Sequence, residues 1–138
     1  MTLNIKHSVK QMVADANKEV EEISITDARL LIGQENVLFI DIRDIREVAK
    51  TGRIVGARHV PRGMLEMWID PDTPYHRSFF ADEKKFIFYC AGAWRSALAA
   101  KTAQDMGLTP VAHLEGGMTA WIEAGAPIEP PKDRKIRD

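Results

Sequence analysis

The chain has 138 residues, 45% of them apolar and 28% charged, which points to one globular domain and excludes both a disordered chain and a membrane protein. A net charge of −1 supplies no global field for steering onto nucleic acid or anionic lipid, so any anion site has to be local. Cys90 is the only cysteine, which excludes an intramolecular disulfide, a thioredoxin-like cysteine pair and a Cys-rich zinc site.

Ile5, Val9, Met12, Val13, Ala16 and Val20 recur at helical spacing, and Ser8 with Gln11 suits a capping box. Residues 1–21 therefore read as an amphipathic helical extension packed on a neighbouring core. The stretch MTLNIKHSVKQMVADANKEV holds no apolar run of the kind a secretion signal needs, and no segment approaches the roughly 20 residues of a membrane span, so the expected location is the cytoplasm. From Ile23 onward short apolar runs alternate with helical stretches, the signature of an α/β fold. The expected architecture is a mostly parallel five-stranded sheet with helices on both faces, over residues 22–128. Its strands fall near Glu22–Ile25, Val37–Asp41, Ala57–Val60, Lys85–Cys90 and Pro110–Leu114. Val37–Ile40 and Phe86–Tyr89 are nearly continuous apolar runs, as central strands covered on both faces should be.

Helices are expected over Thr26–Gly33 with Thr26 as N-cap, Arg43–Lys50, Arg62–Ile69, Arg95–Met106 and Met118–Ala124, with Gly33 and Gly107 as stops. The turn-rich run Asp70-Pro71-Asp72-Thr73-Pro74 makes Ile69–Ala81 a loop, and Trp68–Lys84 is expected as a mobile flap whose Tyr75, His76 and Arg77 tune access to the site. Residues 129–138 read as a charged tail, extended or frayed.

Cys90 ends the apolar run Lys85–Tyr89, the small residues Ala91-Gly92-Ala93 follow, and Arg95-Ser96 open a strong helical run. Ligands of open α/β sheets bind beyond the carboxyl ends of the strands, and a helix N-terminus offers N–H groups and a positive dipole end to an anion. A cysteine so placed is expected to be a stabilised thiolate, against the competing reading of a small buried hydrophobe. The Ala-Gly-Ala tract favours the first, because small residues let backbone N–H groups converge on one point, and Arg95 adds a fixed cation. Asp41 and Arg43 read as supporting residues, the carboxylate bonding loop amides. Trp94 is placed at the rim and Trp121 in the core. His59, His76 and His113 show no ligand spacing, so no metal is expected, and Asp70-Pro71-Asp72 is turn chemistry rather than calcium chemistry. Arg58, Arg62, Arg77 and Arg95 are candidates for a basic rim, although dispersed arginines are usually solvated surface.

Five stretches together resemble the rhodanese-like sulfurtransferases. Leu38-Phe39-Ile40-Asp41-Ile42-Arg43 with Glu47 resembles L-x-I-D-V-R-x-x-x-E, and Gly52–Pro61 resembles G-H-I-x-G-A-x-x-I-P. Cys90–Ser96 is similar to the loop C-x-x-G-x-R-S, Leu114–Trp121 to L-x-G-G-x-x-x-W, and Gly125-Ala126-Pro127 to the closing G-x-P. Order and spacing agree over about Ile23–Pro127. Arg53 stands where the family usually has His, and Ala93 stands at the family glycine, with Gly92 one place earlier. A positive φ at Ala93 would cost roughly 1 kcal/mol. The N-terminal helix lies outside the resemblance, and Trp68–Lys84 exceeds the minimal domain.

The resemblance implies a single-domain sulfurtransferase in which Cys90 carries a persulfide and the backbone of Ala91, Gly92, Ala93, Trp94, Arg95 and Ser96 cradles the transferred sulfur. The implied partners are a small anionic sulfur donor such as thiosulfate and a cyanide, thiol or protein acceptor, with no metal or organic cofactor, nucleic acid or membrane. No oligomeric state is read from the sequence. Two alternatives stand: a persulfide carrier or binding module, and a Cys-dependent phosphatase or arsenate reductase. Four residues separate Cys90 from Arg95, whereas the phosphatase pattern C-x5-R has five, a larger ring for a tetrahedral oxyanion.

Overall fold

The computed structural model of the chain describes residues 2–131; the part of the expected tail at 132–138 lies outside the described residues. In chain order the first half holds α1 (Val9–Glu19), β1 (Glu21–Ile23), α2 (Ile25–Arg29), β2 (Val37–Asp41), α3 (Ile45–Thr51), β3 (Arg53–Ile54) and β4 (Arg58–His59). The second half holds α4 (Leu65–Ile69), β5 (Lys85–Tyr89), α5 (Trp94–Met106), β6 (Val111–Leu114), α6 (Gly117–Glu123) and β7 (Ile128–Glu129). Five strands form a parallel sheet in the order β1-β6-β5-β2-β4. This is the expected α/β architecture, with helices on both faces and α1 added in front.

Alternation along the strands divides the interior into two cores. On β5, Phe86, Phe88 and the following Cys90 pack with Ile40, Leu65, Phe80, Ala99 and Ala103 on one face. Ile87 and Tyr89 pack with Phe39, Met118 and Trp121 on the other. The buried face of α5 is built from Ala97, Ala99, Ala100 and Ala103, whose small side chains bring this helix close to the sheet. Val13 and Ala16 of α1 close over Ala97, but the helix covers only Val9–Glu19 of the expected extension, and Ile5, Val9 and Met12 of its apolar stripe are exposed.

Several boundaries differ from expectation for local reasons. The Ser8 hydroxyl caps α1 by accepting from Gln11 N at 3.1 Å, but the Gln11 side chain reaches Asp15 instead of returning, so the cap is one-sided. Helix α2 is capped by Ser24, not Thr26, and ends at Arg29: β1 stops at Ile23, and the first hydroxyl after it takes the capping position. Helix α3 starts two residues late because the Arg43 N–H is held by Asp41 Oδ1 at 3.0 Å, and Asp44 with Glu47 forms the capping box instead. The helix expected from Arg62 opens as a 3-10 turn, Arg62–Met64, before α4.

The antiparallel pair β3–β7 was not expected; two strands of two residues carry no period to read. Its second strand straddles the boundary drawn at 128/129. The segment between α4 and β5 is anchored, in contrast to the free flap expected. Arg77 N donates to Trp68 O at 2.9 Å, and a 3-10 turn, Ser78–Ala81, buries Phe80 against Phe86 with ring centroids 5.5 Å apart.

Candidate active site

Cys90 is buried at the carboxyl end of β5, its Sγ 3.6 Å from Ser96 Oγ in the first turn of α5. Between them the loop Ala91–Ala93 reverses the chain. Ala93 has φ −146 and ψ −2, and no non-glycine residue among the described ones has a positive φ. The strain foreseen at Ala93 therefore does not arise. The loop's carbonyls turn toward α6: Met118 N donates to Cys90 O at 2.8 Å and Thr119 N to Ala91 O at 3.1 Å. A Cβ at Gly117, whose φ is +60, would lie 1.9 Å from Gly92 O, 2.5 Å from Cys90 O and 2.7 Å from Ala91 O. Only glycine lets α6 come this close to the loop. Among the described residues the six backbone N–H groups from Ala91 to Ser96 donate to no protein acceptor, which leaves them for a ligand.

Arg95, expected as a fixed cation beside the loop, is held in place by a carboxylate from α3. Its Nη1 and Nη2 bind Glu47 Oε1 and Oε2 at 2.8 and 3.0 Å. Hydrogen bonding to Glu47 raises the Arg95 pKa above its ordinary value, with the Cys90 sulfur a smaller contributor. The Arg95 hydrogen bond in turn holds the Glu47 carboxyl below its ordinary range. Trp94 is 53% exposed, at the first position of α5.

Asp41 and Arg43 sit together, but their bonds differ from those expected. The buried Asp41 carboxylate accepts from Arg43 N, Nε and Nη2 at 2.8–3.3 Å and not from the amides of residues 91–96. Arg43 also donates to Thr51 Oγ1 and Gly52 O, both at 2.8 Å. The pair thus pins the corner from β2 through α3 to β3. Burial works against the charge on Arg43, but hydrogen bonding to Asp41 and its charge outweigh burial and raise the pKa. Burial, then the Asp41 charge, pushes the Tyr89 phenol well above its ordinary value; its oxygen accepts from Ile54 N at 3.1 Å.

His113 is a residue to which the sequence reading gave no role. It is fully buried on β6, with Nδ1 3.2 Å from Ser96 Oγ and Nε2 2.6 Å from Asn17 Oδ1 of α1 and 3.7 Å from Glu22 Oε2. Burial lowers its pKa to about 4. The available signal was strand alternation: Ala112 and Leu114 face the Trp121 core, which turns His113 to the α5 side, shared with Cys90.

The four arginines do not assemble into one rim. Arg62 pairs with Glu66 at 2.9 Å, and Arg95 with Glu47. Arg58 lies over the Phe79 ring at 5.1 Å and Arg77 over Trp68 at 4.2 Å. With Arg53 and His59 these two line an open cleft of about 720 Å³ beside β4, which includes no residue of 90–96. A smaller pocket of about 240 Å³, lined by Glu47, Lys50, Ala91 and Thr119, adjoins the loop. His59 Nε2 and His76 Nδ1 bind the carbonyls of Arg43 and Trp68. Among the described residues no cluster of three His, Cys, Asp or Glu side chains could hold a metal ion, and no helix is long and apolar enough to cross a membrane.

The family model for the rhodanese-like domain matches residues 24–124. The thiosulfate:glutathione sulfurtransferase of Homo sapiens is 25% identical over 107 residues, spanning 73% of this chain and 92% of that protein. The polysulfide-sulfur transferase homodimer of Wolinella succinogenes superposes with a TM-score of 0.66 at 30% identity, spanning 87% of this chain and 85% of that one. A Rhodopseudomonas palustris protein of unknown function, described as a possible tyrosine phosphatase, superposes with a TM-score of 0.91 at 53% identity, spanning 94% and 99%.

Proposed function

The chain belongs to the rhodanese-like domain family, and we propose that it is a sulfurtransferase that passes a sulfane sulfur from thiosulfate, or a related small anionic donor, through a persulfide on Cys90. The observation that carries this reading is the placement of Cys90 directly before six N–H groups with no protein acceptor, at the start of α5. In the first half-reaction the Cys90 thiolate attacks the outer sulfur of thiosulfate. One S–S bond forms, the sulfur–sulfur bond of thiosulfate breaks, and sulfite leaves with the electron pair. The persulfide's terminal sulfur carries the negative charge, and the N–H groups of Ala91–Ser96 with the α5 dipole stabilise it. In the second half-reaction cyanide or a thiolate takes that sulfur and regenerates the Cys90 thiolate. With no second cysteine in the chain, the acceptor is external, and a protein thiol is a further candidate. A reducing compartment such as the cytoplasm suits a lone catalytic thiol.

Phosphatase chemistry is the second reading, favoured by the similarity to a possible tyrosine phosphatase at 53% identity. Two features weigh against it. The ring from Cys90 to Arg95 is one residue short of C-x5-R, and the end-on fork of Arg95, Nη1 with Nη2, is already engaged by Glu47, which leaves phosphoryl oxygens only the Nε and outer Nη hydrogens. The test is parallel assay of thiocyanate formation from thiosulfate and cyanide and of aryl phosphate hydrolysis, with Cys90→Ser as control. Cys90-dependent thiocyanate formation without phosphate release is expected. Cys90-dependent phosphate release without thiocyanate formation would establish the second reading.

A further inference from the structure

We propose that Asn17 and His113 are positioning residues for the nucleophile: they fix the Ser96 hydroxyl as an acceptor of the Cys90 thiol proton, so that α1 helps set the pH at which Cys90 ionises. The inference deepens the reading of Cys90 as nucleophile and rests on it. It gives the N-terminal helix, which lies outside the family match at 24–124, a part in the chemistry.

The direction of every bond in the chain of contacts follows from what each group can do. At its outer end His113 Nε2 faces Asn17 Oδ1 at 2.6 Å and Glu22 Oε2 at 3.7 Å. Both are acceptors, so Nε2 carries the hydrogen, and the neutral ring presents a bare lone pair at Nδ1. Burial, which lowers the His113 pKa to about 4, keeps the ring neutral near pH 7. The partner within reach of Nδ1 is Ser96 Oγ, at 3.2 Å. A serine hydroxyl has one hydrogen to give. Ala93 O also lies 3.2 Å from it, but that carbonyl already accepts from Ala97 N at 3.1 Å. A buried imidazole nitrogen left without a donor is the costlier omission, so the hydroxyl hydrogen goes to His113.

Ser96 Oγ then has only lone pairs to offer Cys90 Sγ at 3.6 Å. That arrangement suits a thiol, which donates, and gives nothing to a thiolate, which needs a donor. The remaining groups around these two side chains are Glu22 on β1, next to His113, and Arg95 on α5, whose charge acts on Cys90 and is shared with Glu47 of α3. Beside His113 in register, β5 contributes Phe88, which has no charge. None of these changes when the hydroxyl alone is redirected. Breaking the chain of contacts at Asn17 or His113 frees the Ser96 hydrogen, for which Ala93 O and the sulfur then compete; a charged thiolate is a stronger acceptor than a carbonyl already bonded to Ala97 N, so the change makes Cys90 easier to ionise.

The experiment is the pH dependence of Cys90 alkylation by iodoacetamide, read by intact mass, on the full chain. Cys90 is the only cysteine, so the label needs no further engineering, and it reads ionisation whether or not sulfur is transferred. Failure of the sulfurtransferase reading would leave this test intact. His113→Phe is expected to move the profile to lower pH, with alkylation at pH 6 about tenfold faster, one hydrogen bond gained by the thiolate. His113→Asn, whose amide oxygen can stand where Nδ1 stands, is expected to retain the wild-type profile. Asn17→Leu, at an exposed position on α1, is expected to shift the profile in the same direction by a few-fold, and it carries the test if His113→Phe does not fold. In a Ser96→Ala background neither His113→Phe nor Asn17→Leu should move the profile further. A wild-type profile in both variants, slower alkylation at every pH, or an unchanged shift in the Ser96→Ala background would each overturn the proposal.

Discussion

Gly117→Ala is the substitution that best probes how the loop is held. The added Cβ would sit 1.9 Å from Gly92 O, with Cys90 O and Ala91 O at 2.5 and 2.7 Å, and all three are backbone atoms. An unstrained carbon–oxygen approach is roughly 3.3 Å, so the loop must retreat from α6 by more than an ångström. The retreat strains the bonds from Met118 N and Thr119 N, worth about 1 kcal/mol each. The positive φ adds another 1–2 kcal/mol or so for a residue with a Cβ. Together these predict a loss of about 3 kcal/mol, a fall in Tm of roughly 10 °C for a domain of this size. A displacement of about 1 Å in the groups that position a reaction costs on the order of a hundredfold in rate, so thiocyanate formation should fall by at least that factor in protein still folded at the assay temperature. Gly92→Ala is the internal control, because its Cβ meets nothing within 4 Å and its φ is not positive; its Tm should stay within about 2 °C of wild type. Differential scanning calorimetry alongside the rate assay checks both. A Gly117→Ala protein with wild-type Tm and rate would refute the close seating of the loop on α6.

Cys90→Ser should abolish thiocyanate formation while leaving the melting curve intact, since the hydroxyl is nearly isosteric but a far poorer nucleophile. Glu47→Gln keeps an acceptor for the Asp44 N–H that caps α3 while removing the negative charge that offsets Arg95; KM for thiosulfate should fall about threefold at low salt, with stability changed by less than about 1 kcal/mol because the pair is partly exposed. His113 has a depressed pKa of about 4 in the fold against 6.5 ordinarily, so the unfolded chain takes up this proton first as the solution is acidified. Its contribution to stability is full above pH 6.5 and is lost progressively toward pH 4, by about 3 kcal/mol, and urea unfolding of wild type against His113→Asn should show that extra loss in wild type only.

The parts of the fold that could be read in the sequence are those with a period or a punctuation mark. Val37–Ile40 and Phe86–Tyr89 announced the two central strands by composition, and Gly107 ends α5 in the left-handed conformation expected of a stop. The β3–β7 ribbon was illegible because two-residue strands have no alternation to detect. At the site, Cys90, the loop and Ser96 fell out of the order strand, small residues, helix. The partners did not, because each reaches across the chain: Arg95 to Glu47, Ser96 to His113, and His113 to Asn17, 96 residues away. Asp41 was assigned to loop amides on position alone, whereas the nearer donor, Arg43 two residues on, satisfies it from within its own turn. Side chains that bond across elements leave no local pattern, and one histidine among four carries no spacing.

The most direct test of the account is the mass of the intact chain after incubation with thiosulfate and removal of excess reagent. Transfer through a Cys90 persulfide predicts a gain of one sulfur atom, localised to the peptide bearing Cys90, absent from Cys90→Ser, released as thiocyanate by cyanide and matched by sulfite in solution. An unchanged mass with thiosulfate and with other sulfane donors, under conditions where iodoacetamide still labels Cys90, would contradict it.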